Sequence, residues 1–417
     1  MRKLAFFLLA ILPLVACKGG SGGGGGNEST NPEFPDDDTH LSKPITGIDP
    51  MFHEDLGFIN DSPSAFLTSD SAGYLYYRRN AKKFNLESDT IAVRTLKKVD
   101  GAWVTSETFK TVLSLPSTEG AWDGKSLGAP DVIQGKFNYQ GTEYKYLMAY
   151  HGYNNLDGYN GQIGFAVSNS PDGQFTRVGA EPIVKYDPNL WAKDSLQRYR
   201  GSLQPSLMSY DRKGKIRLIY TCYGPKNTNY CLEMDCSNLD SIIRSGRMAA
   251  EIRGLSDQRT NTTLYGSDWA YDPAHEEFVA VRNFSSDVQG LPAVADGVQI
   301  VHAPTGILYD IDYTQDDADP ETRPTVWDLC NDSYYKIGAI KTSDEMSTDR
   351  SKWQGYSRIY DATVFANQYG WMTATDKVEI AFTSQVTDQS TLLTGEQWKF
   401  SQMVHHYEIP YTNVANS

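Results

Sequence analysis

One phrase occurs five times in this chain: a short apolar strand entered through a corner marked by Pro or Asp, a turn, and then a strand rich in aromatic residues. It reads Ser62-Pro63-Ser64-Ala65-Phe66 before Gly73-Tyr74-Leu75-Tyr76-Tyr77, and Ala129-Pro130-Asp131-Val132-Ile133 before Tyr144–Tyr150. It returns as Gln204-Pro205-Ser206-Leu207-Met208 before Lys215–Tyr220, and as Ser267-Asp268-Trp269-Ala270-Tyr271 before Phe278–Val281. The last copy is Tyr360-Asp361-Ala362-Thr363-Val364 before Gly370-Trp371-Met372-Thr373-Ala374. The copies recur every ~60 to 90 residues, and a repeat of all-β units that cannot each bury two faces alone is the mark of a propeller. The expectation is an all-β fold, a five-bladed β-propeller of four-stranded antiparallel blades.

Within a blade the strands read as a meander. After Tyr150 a turn-rich stretch leads to Gln162–Ser168, closed by Pro171-Asp172-Gly173, which is strong turn chemistry. Val378–Ser384 carries the same third-strand phrase in blade five. Helix is expected only as a turn or two around Asn238 to Gly246.

The N-terminus reads as an address. Arg2 and Lys3 precede an apolar run from Leu4 to Ala16 that ends in Leu14-Val15-Ala16-Cys17. The run is shorter than the ~20 apolar residues of a membrane span, and its end resembles the lipobox of bacterial lipoproteins. That resemblance implies cleavage after residue 16 and acylation of Cys17. Lys18 following it points to the outer membrane, with the body facing the periplasm or the cell surface. Residues 17–44, rich in Gly, Ser and Asp, then form a tether, and residues 45–417 one propeller domain. Without Arg2 and Lys3, the 38 basic side chains become 36 against 52 acidic ones. A body this acidic is a poor partner for nucleic acid or an anionic bilayer, so the membrane is met through the N-terminal lipid only. Nothing in the sequence asks for an oligomer, and a monomer is expected.

Besides Cys17 there are Cys222, Cys231, Cys236 and Cys330. In a compartment that permits disulfides an even count allows two bridges. Cys222 ends one strand and Cys231 begins the next, so a cross-strand bridge between them is the first expectation. A zinc site from the same four is the alternative, without any paired CxxC knuckle to support it.

Gly128–Val132, Tyr146–Tyr150 and the run from Ile163 to Phe175 resemble the second blade of five-bladed glycosidases, those of glycoside hydrolase family 43 and its relatives. Such enzymes cleave with two carboxylates, one protonating the leaving oxygen and one activating water or attacking directly. The resemblance implies a base Asp before Pro in blade one, where this chain has Ser62 with Asp61 one position earlier. It implies an Asp that tunes the acid's pKa in blade three, where this chain has Gln204. It implies an acid Glu entering blade four, where Asp268 is the nearest carboxylate, flanked by Trp269. The triad is therefore altered, and the chemistry has been either rebuilt or replaced by binding.

Other polar and aromatic groups fall where inner strands begin. The substrate-binding candidates are Trp122, which could stack on a sugar ring, Asp131 after Pro130, Tyr199, Arg200 and Gln204 at the entry to blade three, Trp269 in blade four, and Arg358 and Asp361 entering blade five. His151, after the aromatic strand of blade two, can act as acid or base near neutral pH. Some five-bladed glycosidases outside family 43 use a His as the acid, and some propeller lyases set His, Tyr and Arg around a uronate. Three classes follow: a hydrolase of a plant or algal polysaccharide or oligosaccharide, with Asp61, Asp268 and His151 as catalytic candidates; a uronate lyase using His151, Tyr199 and Arg200; and a glycan-binding propeller that does not cut. No cofactor is required, although calcium could be held in the channel by Asp and backbone oxygens. Absence of a phosphate loop, an HExxH or a GxSxG elbow argues against nucleotide, zincin or serine-esterase chemistry.

Overall fold

The computed structural model describes residues 51–52, 59–80, 89–155, 160–186, 201–223, 228–250, 267–284, 297–304, 308–310, 331–335, 356–386 and 402–410. All of them belong to one compact unit, Thr39–Ser417. Cys17, the tether, Tyr199, Arg200 and Cys330 lie outside the described residues, and of Arg358 only the backbone is described.

The five phrases open five antiparallel sheets, the blades of a propeller. Blade one contains β1 (Asn60–Ser69), β2 (Ala72–Asn80), β3 (Asp89–Val99), β4 (Ala102–Thr105) and β5 (Lys110–Ser114). Blade two is β6 (Ser126–Tyr139), β7 (Thr142–Tyr153), β8 (Gln162–Ser168) and β9 (Thr176–Arg177). Blade three is β10 (Gly201–Ser209), β11 (Lys215–Tyr223), β12 (Thr228–Asp235) and β13 (Ile243–Ala250). Blade four is β14 (Asp268–Asp272), β15 (Glu277–Phe284), β16 (Gly297–Pro304) and β18 (Asn331–Tyr335); β17 (Leu308–Asp310) leaves it to pair with β13 of blade three. Blade five is β19 (Tyr356–Val364), β21 (Lys377–Val386) and β22 (Gln402–Pro410), while β20 (Ala366–Asn367) pairs in parallel with β1. The blades are thus not uniformly four-stranded. There is no helix among the described residues, and the stretch expected to hold one, Asn238 to Gly246, is a turn running into β13.

Local chemistry explains the meander. The β3–β4 and β6–β7 hairpins turn on Asp100-Gly101 and Gln140-Gly141, all four at positive φ, as the two-residue turn matched to strand twist requires. Consecutive residues such as Leu75, Tyr76 and Tyr77 are all fully buried, because each blade is covered on both faces. Tyr76 and Ile91 meet Leu127 and Met148 across the junction of blades one and two, and Val281 meets Ile380 and Phe382 across that of four and five. Burial of each such side chain stabilises by about 1.5–3 kcal/mol.

Gly370–Ala374, expected to be the aromatic strand of blade five, is not that strand: β21 pairs with β19 in its place. The stretch 366–370 that leads into it bonds instead to the other four blades, near the ends of their inner strands. Ala366 and Asn367 pair with Phe66 and Leu67 of blade one, and Gln134 N–H of blade two donates to Gln368 O at 2.7 Å. Ser209 N–H of blade three donates to Tyr369 O at 2.9 Å, and Tyr271 N–H of blade four to Gly370 O at 3.0 Å.

The expected Cys222–Cys231 bridge is corrected by the register of β11 and β12. Cys222 faces Thr228 and Cys231 faces Ile219, so the two cysteines are three positions apart along the ladder, about 10 Å, and on opposite blade faces. A disulfide needs Cα atoms within ~7 Å. Neither they nor Cys236 form a disulfide.

The junction of blades five and one carries an ion cluster. Glu379 accepts from Lys98 Nζ at 3.0 Å and Trp103 Nε1 at 3.2 Å, and Lys377 Nζ lies 2.8 Å from Glu408. Burial alone would raise the Glu379 carboxyl; hydrogen bonding with Glu408 and Lys98 and the charge of the two lysines outweigh it and pull it down to about 2.

Candidate functional site at the channel mouth

The five corners converge on the axis. A cavity of about 310 Å³, its open mouth included, is lined by Ser62, Pro63 and Ser64, by Ala129, Pro130 and Asp131, by Gln204 and Pro205, by Ser267 and Asp268, and by Asp361 and Ala362. Every blade contributes through its inner strand, as the repeat implied.

Four corners share one backbone device. Ser62, Ala129, Gln204 and Asp361 have φ of 50°, 40°, 51° and 48°, and each sits in a bulge where β1, β6, β10 or β19 loses register with its neighbour. A left-handed non-glycine residue costs ~1–2 kcal/mol, and bulges beside sites re-aim a side chain. Four such residues around one cavity mark the mouth as the strained, constructed part of the molecule.

Two residues further along each inner strand lies a deeper ring: Ser64, Asp131, Ser206, Asp268 and Thr363. Asp131 accepts from Ser64 Oγ and Val132 N–H, both at 2.9 Å, and from Leu207 N–H of blade three. Asp268 accepts from Ser206 Oγ of blade three at 2.7 Å, and from Thr363 Oγ1 and Val364 N–H of blade five at 2.7 and 2.9 Å. These carboxylates tie blades one to five around the axis. Burial, and then the charge of Asp268, push the Asp131 carboxyl well up; burial also raises that of Asp268, against the hydrogen bonds that favour its charged form.

At the mouth itself stands Asp361. Its carboxylate accepts from Ser62 Oγ of blade one and from Gln204 Nε2 of blade three, both at 2.8 Å. Its backbone N–H donates to Asn283 Oδ1 of blade four at 2.8 Å. Ser62 and Gln204 are the two positions at which the glycosidase resemblance implies Asp, and here both serve a carboxylate that stands at the equivalent corner of blade five.

A third ring comes from the second strands: Arg78, His151, Thr221, Asn283 and Thr383, each two residues beyond the partner of a deep-ring residue. Arg78 lies 3.4 Å from Asp61 and 3.1 Å from Asp89. His151 packs against Gly128, where a Cβ would fall 2.7 Å from Nε2. It is buried, and its Nδ1 faces Gln204 N–H at 3.5 Å. Burial, and then the charge of Arg78, lower its pKa to about 3.

The sequence candidates therefore separate. Asp361, Gln204, Asp131 and Asp268 line the cavity, with Asp268 one ring below Asp361 and bound into the axis. His151 stands beside Gln204. Asp61 is buried against Arg78 rather than lining the cavity. Trp122 is stacked on Tyr150, with ring centroids 5.6 Å apart, and covers Gly152 and Gly164 at the junction of blades one and two. Trp269 is 2% exposed and donates Nε1–H to Ser267 Oγ, so it is a core residue and no sugar platform. Arg78 and Asn283 were missed; the signal was their place two residues past the aromatic or apolar strand centre, the same place as His151.

Two further clusters carry metal-ligating groups. Asp272, His275 and Glu277 form one at the β14–β15 turn, and Glu379, His406 and Glu408 the other. Asp272 already accepts from Ala274 N–H, His275 N–H and the His275 ring, and Glu379 is served by Lys98 and Lys377. For calcium in the channel the donors would be Asp131 and Asp268. Every oxygen of both already accepts an N–H or O–H, so an ion there would share them with those donors.

A five-bladed β-propeller whose inner-strand corners meet in one polar cavity is the class these features define. No family model matches the sequence, and no curated protein does. Solved structures are similar to it: a family 117 glycoside hydrolase of the marine bacterium Zobellia galactanivorans, at 14% identity over 88% of this chain and 90% of that one, has a TM-score of 0.46. A GH62 hydrolase solved with xylotriose, at 10% identity over 88% and 97%, has a TM-score of 0.50. The alpha-L-arabinofuranosidase of Podospora anserina solved with cellotriose, at 10% identity over 89% and 98%, has a TM-score of 0.46. At 10% identity the likeness to the GH62 hydrolase speaks to the fold alone.

Proposed function

We propose that the protein is a glycoside hydrolase-like propeller that takes a polysaccharide or oligosaccharide of plant or algal type at the channel mouth. The observation that carries this reading is the Asp361 carboxylate, oriented by Ser62 and Gln204 in the strained ring. Two roles are needed, an ionised carboxylate and a proton-holding one, and unequal environments separate them. Asp361, served by two donors, is the group that activates water or attacks. Asp268, whose carboxyl burial raises within the same cavity, is the proton holder. Presentation of the body from the outer membrane through a lipidated Cys17 is part of the same proposal.

A second reading, glycan binding without cleavage, is favoured by one observation: Asp268 and Asp131 are already engaged in joining blades. The test incubates the full-length protein and its Asp361→Asn and Asp268→Asn variants with neutral and uronate polysaccharides, following new reducing ends and absorbance near ~235 nm, the signature of an eliminated uronate. Hydrolysis predicts reducing ends without absorbance, reduced at least about a thousandfold in Asp361→Asn. Absorbance would establish the lyase, and binding with neither signal the non-cutting propeller.

A further inference from the structure

Two residues of the second-strand ring do the same thing at different junctions. His151 of blade two offers Nδ1 to the N–H of Gln204 at 3.5 Å, and Asn283 of blade four offers Oδ1 to the N–H of Asp361 at 2.8 Å. Both recipients are corner residues at positive φ, and Gln204 in turn donates its side-chain amide to Asp361. The two acceptors therefore converge on one carboxylate, Asn283 through the Asp361 backbone and His151 through Gln204. Each stands on the blade preceding the corner it serves, at an equivalent register position: His151 faces Gly128, and Asn283 lies two residues beyond Val281, the partner of Asp268. An N–H acceptor there compensates part of the cost of holding a non-glycine residue in the left-handed region.

We propose that His151 and Asn283 are matched positioning residues, which fix the strained corners carrying Gln204 and Asp361, and that His151 works as a neutral acceptor and takes no part in acid–base transfer. This rests on the reading of Asp361 as the carboxylate of the site. An imidazole that accepts at Nδ1 carries its proton on Nε2; a second proton on Nδ1 would set two donors against each other. The groups facing the ring are consistent with that state. They are Arg78, with Asp61 and Asp89 behind it, and the Tyr153 ring, 5.4 Å from the imidazole. Burial and the Arg78 charge keep the ring unprotonated down to a pKa of about 3. Asn283 is 8% exposed, and among the described residues its Nδ2 has no hydrogen-bond partner, while its Oδ1 accepts the Asp361 N–H.

The experiment is nitrogen NMR of the full-length protein labelled at its histidines, with the His151 signals assigned by their loss in His151→Asn. The expected result is an Nε2–H tautomer with unprotonated Nδ1, unchanged from pH 5 to 8. A midpoint inside that range, or a proton on Nδ1, overturns the proposal whether or not the protein cleaves glycans. On a substrate found by the polysaccharide panel, His151→Ala is expected to lower kcat by roughly ten- to a hundredfold through misplacement of the site. His151→Asn, which supplies the acceptor used at the same position in blade four, restores most of it with the pH profile unchanged. If His151→Asn is as impaired as His151→Ala and a limb of the pH profile disappears, His151 is an acid or base. Loss of turnover in Asp361→Asn but not in either His151 variant would leave the site reading standing and remove the positioning role.

Discussion

Gly370 offers a quantitative test of how the propeller is closed at its base. Its φ is +73°, and a Cβ there would clash with Leu207 O and fall 3.0 Å from Met208 Cα. In Gly370→Ala the left-handed backbone alone costs ~1 kcal/mol. The clash is with backbone of blade three, so the segment must lift. Lifting it endangers the bonds Ser209 N–H to Tyr369 O at 2.9 Å, Tyr271 N–H to Gly370 O at 3.0 Å and Met372 N–H to Tyr271 O at 2.8 Å, at ~1 kcal/mol each. The sum is ~4 kcal/mol, which at ~2.1 cal/mol/K per residue lowers Tm by roughly 5 °C in a unit of this length. Gly101 is the control: its φ is +86°, and nothing lies within 4 Å of an added Cβ. Gly101→Ala carries the same strain without the clash and should lose only ~1 °C. Calorimetry of both variants against the parent decides the matter. Equal Tm values would mean that the base segment yields freely and does not tie the blades together.

Two further outcomes follow from the described side chains. Glu379→Gln at the junction of blades five and one should lose about 3 kcal/mol at pH 7, because it leaves Lys98 and Lys377 without their buried partner. The folded pKa is depressed to about 2, so the carboxylate's contribution is present above the unfolded value and is lost as pH falls through ~4 towards 2; denaturant titrations of parent and variant should converge there. Cys231 and Cys236, whose thiols burial pushes up to about 12, should resist iodoacetamide at pH 8 in the native protein and react after unfolding, as mass spectrometry would read. Rapid native labelling of either would contradict their place in the blade core.

The blade count was legible because the corner phrase is local and its chemistry repeats: proline or a short polar residue at the bulge, then a strand buried on both faces. Strand number per blade was not, since the outer strands pair by non-local choices such as β17 joining blade three. Trp371 misled the reading of blade five. Its aromatic surroundings resemble a strand, but it donates Nε1–H to Ser209 O at 2.7 Å and packs against Tyr271 and Tyr369. The proposed cysteine bridge failed for a related reason, because adjacency in sequence gives no register, and a shift of three positions reverses the face.

The site was half legible for a reason that lies in the symmetry of the fold. Five corners face one axis, so a carboxylate can stand on any of them and still reach the same cavity, provided its neighbours are changed from charges to donors. In this chain Ser62 and Gln204 hold donors where the glycosidase resemblance implies carboxylates, and Asp361 accepts from both. A comparison made blade by blade records two losses and overlooks the gain across the ring. Asp268 was drawn into the triad because it is the carboxylate nearest in sequence to the expected acid, and its register with Val281 sets it level with Asp131 in the deeper ring, where it both lines the cavity and joins blades. Position along the inner strand, counted from the bulge, decides at which depth of the cavity a side chain stands and which neighbouring blades it meets. Residue type alone does not carry that information.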